Sequence, residues 1–241
     1  MRRKRAPRPQ YGSGPLSQTH VKILVIDVGG SHVKLLATGR RTPLKLPSGP
    51  ELTPAAMVSE VMTATADWRY EVVSIGYPGP VANDQPTSEP VNLGDGWVDF
   101  DYPAAFKCPV KMINDAAMQA LGSYDGGHMV FLGLGTGLGT TLVTNGTVVP
   151  LEMAHLPYRK GRSYEEYLGE AGLRRLGEKK WMKHVEAVVK LFLAALNAEY
   201  VVLGGGNVRF FEVLPPNTRR GNNMHAFRGG YRLWQKRAHL S

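Results

Sequence analysis

A carboxylate at the end of a buried strand can face a cleft and take a proton from a hydroxyl. Asn114-Asp115 stands in such a place, between the apolar run 110–113 and a helical pattern over 116–124. Asp115 is also placed as an N-cap for that helix, and the position suits both uses. Three glycine-rich turns accompany it. Asp27-Val28-Gly29-Gly30-Ser31, with Lys34 beyond, lets backbone N–H groups face an anion with no side chain in the way. Asp27, at the tip of the preceding strand, is placed to hold Mg²⁺ through water; the same residues also fit a plain hairpin turn.

The second turn, Gly133-Leu134-Gly135-Thr136-Gly137-Leu138-Gly139-Thr140, alternates glycines through a run flanked by strands. Interior glycine costs a strand about 0.5–1 kcal/mol relative to Ala, so this density points to close approach of a ligand or another backbone. Thr136 and Thr140 offer hydroxyls suited to phosphate oxygens. No Gly-Lys-Ser/Thr closes the run, which excludes a Walker P-loop, and it opens no helix as a dinucleotide fingerprint does. The third turn, Gly204-Gly205-Gly206-Asn207, follows the apolar run 201–203. A helix beginning there would favour phosphate at its N-terminus, although a loose loop reads equally well. Glu152 and His155, three residues apart, can both reach one polyol.

The elements that must position these residues follow from the pattern. Runs 22–28 and 32–38 read as a hairpin, and 129–134 with 138–144 as a second one. Thr53 and Pro54 open a helix, and 71–76 is a strand that stops at Pro78-Gly79-Pro80. Residues 82–107 read as a long irregular region. Ser163 and Glu166 form a capping-box pattern for a helix through about residue 176. Residues 178–197 are the clearest helix, with Trp181, Val185, Val188, Val189, Phe192 and Leu196 on one stripe. The remainder reads as loop-rich. Mixed strands and helices argue for an α/β architecture, and a glycine-turned hairpin opening each half suggests two similar lobes around a cleft.

The chain has 241 residues, with 43% hydrophobic and 20% charged. A single cysteine, Cys108, excludes an intrachain disulfide, and no Cys/His cluster offers a structural zinc site. No apolar run approaches the roughly 20 residues of a membrane helix, so the expectation is a cytoplasmic protein without membrane attachment. The net charge is +9, and about +4 without Arg2, Arg3, Lys4, Arg5 and Arg8. Residues 1–20 read as a disordered basic leader, a solvated tail or an anion-binding arm. Two further basic clusters are Arg159-Lys160-Arg162 and Arg174, Arg175, Lys179, Lys180 and Lys183; each fits a solvated face or a polyanion track.

Taken in this order, the motifs resemble the ROK family of sugar kinases (repressors, open reading frames and kinases), its polyphosphate glucokinase branch above all. The resemblance rests on Ile26-Asp27-Val28-Gly29-Gly30-Ser31, Ile75-Gly76-Tyr77-Pro78-Gly79-Pro80-Val81, Val91-Asn92-Leu93 and Asn114-Asp115-Ala116-Ala117. It continues through Gly135-Thr136-Gly137-Leu138-Gly139, Val202-Leu203-Gly204-Gly205-Gly206-Asn207, Leu214-Pro215-Pro216 and Ala226-Phe227-Arg228-Gly229-Gly230, covering residues 21–234.

It implies an α/β fold of the actin-like ATPase (ribonuclease H-like) type, with lobes 21–113 and 114–241 around a central cleft. It implies Asp115 as general base and Asn92, Asn114, Glu152 and His155 as sugar contacts. Asp27, Gly29, Gly30, Ser31, Lys34, Gly135, Thr136, Gly137, Gly204, Gly205 and Gly206 would hold the phosphoryl donor, with Mg²⁺ at Asp27. The implied substrates are a hexose, glucose at its 6-hydroxyl, and polyphosphate or ATP; the implied assembly is a homodimer, with no specific nucleic-acid partner. The chain departs from the family pattern in three ways. Glu-Leu-Gly-His reads Glu152-Met153-Ala154-His155, the acidic residue expected just after that His is replaced by Leu156-Pro157, and the Cys-rich zinc motif is absent. The alternative is a non-catalytic ROK-type sugar-binding or regulatory protein. Residues 1–20 are too short and too rich in Pro and Gly for the helix-turn-helix of a regulator.

Overall fold

The protein is described from a computed structural model, which covers residues 21–235 and 239–240. The basic leader expected at residues 1–20 lies outside the described residues.

Strands β1 (Ile23–Val28), β2 (His32–Ala37) and β3 (Leu44–Pro47) form an antiparallel meander, and α1 (Pro54–Ala64) leads to β4 (Val72–Tyr77). A ribbon of β5 (Val81–Ala82) and β6 (Gln85–Pro86), then α2 (Tyr102–Phe106), precede β7 (Val110–Asn114). The first sheet has the order β3-β2-β1-β4-β7, with β1, β4 and β7 parallel. Every residue of β4, VVSIGY, is buried, as expected of a central strand covered on both faces.

The second half repeats this plan. After α3 (Asp115–Ser123), strands β8 (His128–Leu134), β9 (Leu138–Thr144) and β10 (Thr147–Leu151) form a second meander. A short ribbon, β11 (Pro157–Arg159) and β12 (Arg162–Ser163), is followed by α4 (Tyr164–Leu168), α5 (Glu170–Leu176) and α6 (Glu178–Ala195). Then come β13 (Tyr200–Gly204), β14 (Thr218–Arg220), α7 (Met224–Arg232) and β15 (His239–Leu240). The second sheet runs β14-β13-β8-β9-β10-β15, with β8, β13 and β14 parallel. Leaving β15 aside, each sheet is an antiparallel meander whose first strand pairs with a parallel strand that in turn pairs with another. This duplicated plan matches the two-lobed α/β architecture expected from the paired hairpins.

Three apolar clusters hold it together. One packs the first sheet against α1 and α2, and another packs the second sheet against α4, α5 and α6. The third lies between the sheets, where α3 and α7 bring Ala117, Met118, Leu121 and Phe227 against Val25 and Phe131. Helices α3 and α7 touch nearly backbone to backbone. A Cβ on Gly122 would stand 2.7 Å from the Gly229 nitrogen and closer still to the His225 carbonyl. From α7 the chain returns to the first sheet: the Ser74 hydroxyl donates to the Gly230 carbonyl (2.7 Å) and Lys111 to that of Leu233 (2.8 Å).

Several sequence expectations change. The helix expected from 163 to 176 breaks at Gly169 into α4 and α5. A Cβ on Gly169 would lie 3.0 Å from the Thr136 carbonyl, so the chain bends there to fold over the second glycine turn. The loop-rich C-terminal region contains α7, formed despite Gly229-Gly230 because those glycines meet α3 and β1. After Gly205 the chain takes a 3₁₀ turn, Gly206–Phe210, rather than an α-helix.

Candidate active site

Asn114 ends β7 and caps α3: its side-chain oxygen accepts from Ala117 N (3.1 Å). Its amide nitrogen donates to the Gly79 carbonyl (3.2 Å), tying the helix start to the Pro78-Gly79-Pro80 turn. Asp115 is therefore the first helical residue and not the cap expected from sequence. Its Oδ1 accepts from Ala116 N (2.7 Å), and the carboxyl is enclosed at the floor of a cleft between the sheets. Burial, and after it the negative charge of Asp27, pushes its pKa from the ordinary 3.8 to about 7; the Ala116 N–H and Lys34 work in the opposite direction.

Asp27 and Lys34 are register partners across β1 and β2, and Lys34 Nζ lies 2.9 Å from Asp27 Oδ2. The β8–β9 turn is held from outside. Leu138 N donates to Glu165 Oε2 (3.1 Å), and Glu170 N donates to the Gly135 carbonyl (3.0 Å). Gly139 faces the helix start, where a Cβ would stand 2.7 Å from Ala116 Cβ. Gly205 has φ +83° and lies against Leu134, so both its backbone angle and the space require glycine. Asn207, buried behind the turn, donates to Glu170 Oε2 (2.9 Å) and the Gly135 carbonyl (3.4 Å).

These groups enclose two adjoining chambers. The first, about 370 Å³, is lined by Asp27, Gly29, Gly30, Lys34, the Gly135-Thr136-Gly137 turn and Gly205. The second, about 500 Å³, is lined by Pro78-Gly79-Pro80, Asn92, Asn114, Leu151, Glu152 and Glu165. Asp115 and Ala116 line both, as do Gly30, Asn92, Thr136 and Gly137. The structure thus brings Asp115 together with both sets of expected residues, at the wall the chambers share.

Other residues sit differently from expectation. Ser31, Gly204 and Gly206 lie outside the lining of either chamber, with Gly204 buried against the Phe131 ring. Glu152 and His155 are near the rim, 69% and 74% exposed, with His155 Nε2 3.7 Å from Glu152 Oε2; only Glu152 lines the chamber. The Thr140 hydroxyl faces no phosphate site. It donates to the Leu151 carbonyl and accepts from Met153 N (3.3 Å), bracing the rim that carries Glu152. Sequence reasoning missed Glu165, Gln119 and Asn223. Glu165 supplies a carboxylate, beside those of Asp115 and Glu152, to the chamber that lacks an acid at Leu156-Pro157.

Solved structures repeat this plan. The inorganic polyphosphate/ATP-glucomannokinase of Arthrobacter sp. strain KM superposes with TM-score 0.72 at 20% identity, covering 88% of this chain and 97% of that one. The ROK hexokinase of Thermus thermophilus gives 0.68 at 19%, with the same coverage. The chain has the fold of the ROK sugar kinases. In sequence it resembles the polyphosphate glucokinase of Mycobacterium tuberculosis, 26% identical over 223 residues that cover 82% of each chain. No protein-family model matches the chain. Among the described residues, no helix is long and apolar enough to cross a membrane.

Proposed function

We propose that the chain is a sugar kinase, transferring a phosphoryl group from polyphosphate or ATP to a hexose, with the 6-hydroxyl of glucose as acceptor. The observation that carries this reading is the place of Asp115, on the wall shared by the glycine-lined chamber and the Asn/Glu-lined one. A donor phosphate in the first and a sugar hydroxyl in the second would meet at that carboxylate.

Asp115 accepts the hydroxyl proton as the hydroxyl attacks. A base with pKa near 7 is matched to this task at neutral pH, stronger than an ordinary carboxylate and still ionised in about half of the molecules. Asn92, Asn114, Glu152 and Glu165 hold the sugar hydroxyls, with His155 closing from the rim. The backbone of residues 29–30 and 135–137 cradles the donor, and Lys34 offsets its charge. Phosphoryl transfer asks for little more than such positioning and charge neutralisation. We place the lobe boundary at residues 113–114, at the end of β7 and just before α3.

A divalent cation fits this chamber in part. Asp27 and Asp115 present hard carboxylate oxygens to it. Among the described residues no cluster of three or more His, Cys, Asp or Glu could hold a metal ion, so donor phosphates would supply the other ligands. Mg²⁺ held by Asp27 in this way would neutralise charge on the transferring phosphoryl group.

The test is direct. Purified protein with Mg²⁺, a hexose panel and either long-chain polyphosphate or ATP should form sugar phosphate. No product from any sugar with either donor overturns the reading.

A further inference from the structure

Outside the two chambers, an open groove of about 610 Å³ lies where α5 meets α6. Its floor is Leu173, Leu176 and Phe210, and its rim carries Lys179, Lys180, the carboxylate Glu178 and Arg174, the last paired with Glu170 (3.1 Å). Lys179 and Lys180 are exposed, and among the described residues no carboxylate forms an ion pair with either. The other cations of this segment face elsewhere: Arg175 lies over the Tyr167 ring (4.8 Å) and donates to the Glu166 carbonyl (2.6 Å). The second basic cluster, Arg159-Lys160-Arg162, lines neither chamber, and Arg162 is paired with Glu166 (3.2 Å).

The groove is joined to the donor turn. Gly205 lines the first chamber and Phe210 the groove, at the two ends of one 3₁₀ turn. At a rise of about 2 Å per residue, those ends are roughly 10 Å apart. A polar relay runs beside that path. Asn207 bridges the Gly135 carbonyl and Glu170 Oε2, and Glu170 Oε1 accepts from Arg174 Nε (3.1 Å).

We propose that this groove holds the distal phosphates of a long-chain polyphosphate whose terminal unit sits in the glycine-lined chamber. The inference rests on the kinase reading above and assigns a donor subsite to it. Charge repeated along a polymer suits a rim of exposed cations continuing away from the first phosphates. A purine would have to share the one ring of the floor, Phe210, which already carries the Arg209 guanidinium (4.8 Å) and contacts Trp181 (centroids 6.4 Å).

The experiment compares the unaltered chain with Lys179→Glu/Lys180→Glu, both residues being exposed so that folding is retained. Direct titration with long-chain polyphosphate and with tripolyphosphate, without sugar, reads binding; turnover with each donor and with ATP reads KM. Long-chain affinity should fall roughly tenfold or more at low salt, with the difference shrinking as salt rises. Tripolyphosphate affinity and the KM for ATP should stay within about twofold, since tripolyphosphate is too short to reach the rim and ATP brings only an uncharged nucleoside to that distance. No loss for the long chain, or an equal loss for all three donors, overturns the proposal. If the unaltered chain turns over no donor, the kinase reading fails instead, and the titration still decides the groove.

Discussion

Replacing Asp115 by Asn should stabilise the protein while abolishing its turnover, and the stabilisation should depend on pH. The carboxyl titrates near 7 in the folded chain against an ordinary 3.8. Between those values the folded state holds a proton that the unfolded state has released, so stability falls as pH rises through the window and is flat above it. At about 1.36 kcal/mol per unit, the folded state carries a cost of about 4 kcal/mol at pH 8, set chiefly by burial and then by Asp27. Asn keeps an oxygen for the Ala116 N–H and never ionises. The variant should therefore melt several degrees higher at pH 8, at about 2–4 °C per kcal/mol for a chain of this length. Near pH 4 the two proteins should melt together. Thermal unfolding followed by circular dichroism across pH 4–8 measures this, with turnover assayed on the same samples. A variant less stable than the unaltered chain at pH 8, or equally stabilised at every pH, would refute the reasoning that places a strained carboxylate at the cleft floor.

Other outcomes follow from the same geometry. In the unaltered chain, kcat/KM should rise about tenfold per pH unit below 7 and level above it, as the base ionises. Lys34→Met removes a cation that lowers the Asp115 pKa, so that limb should move to higher pH while the donor KM rises; an unmoved limb contradicts the assignment. Gly122→Ala should cost about 1–3 kcal/mol by forcing α3 from α7. Gly49→Ala, where nothing lies within 4 Å of the added Cβ, serves as the control in the same melts. Glu152→Gln should raise the sugar KM and change stability by less than about 0.5 kcal/mol, because the side chain is 69% exposed.

Much of the site was legible because glycine and strand ends leave clear marks. The hairpins around Gly29-Gly30 and Gly135-Thr136-Gly137 form where apolar runs flank them, and Asn114-Asp115 stands at a strand–helix junction as expected. What escaped depends on contacts distant in sequence. Helix α7 carries Gly229-Gly230, poor helix formers read alone, and needs Gly122 on α3 to make their bareness useful. Glu165 sits within a capping-box sequence whose pattern highlights its neighbour Glu166, so nothing local marked it as the residue reaching Leu138 and the second chamber. Thr140 looked like a phosphate hydroxyl, but the turn of β10 back toward β9 brings the Leu151 carbonyl to it first. The perturbed Asp115 carboxyl owes its shift to burial and to Asp27, which the fold brings close from another strand.

The most direct measurement of the central claim is formation of glucose 6-phosphate from glucose, long-chain polyphosphate and Mg²⁺, by the unaltered chain and by Asp115→Asn side by side. Steady formation by the unaltered chain, with a loss of at least about 10²-fold in a variant that still melts cooperatively, is the predicted result. Equal rates from both proteins would contradict a catalytic Asp115 at the wall between the chambers.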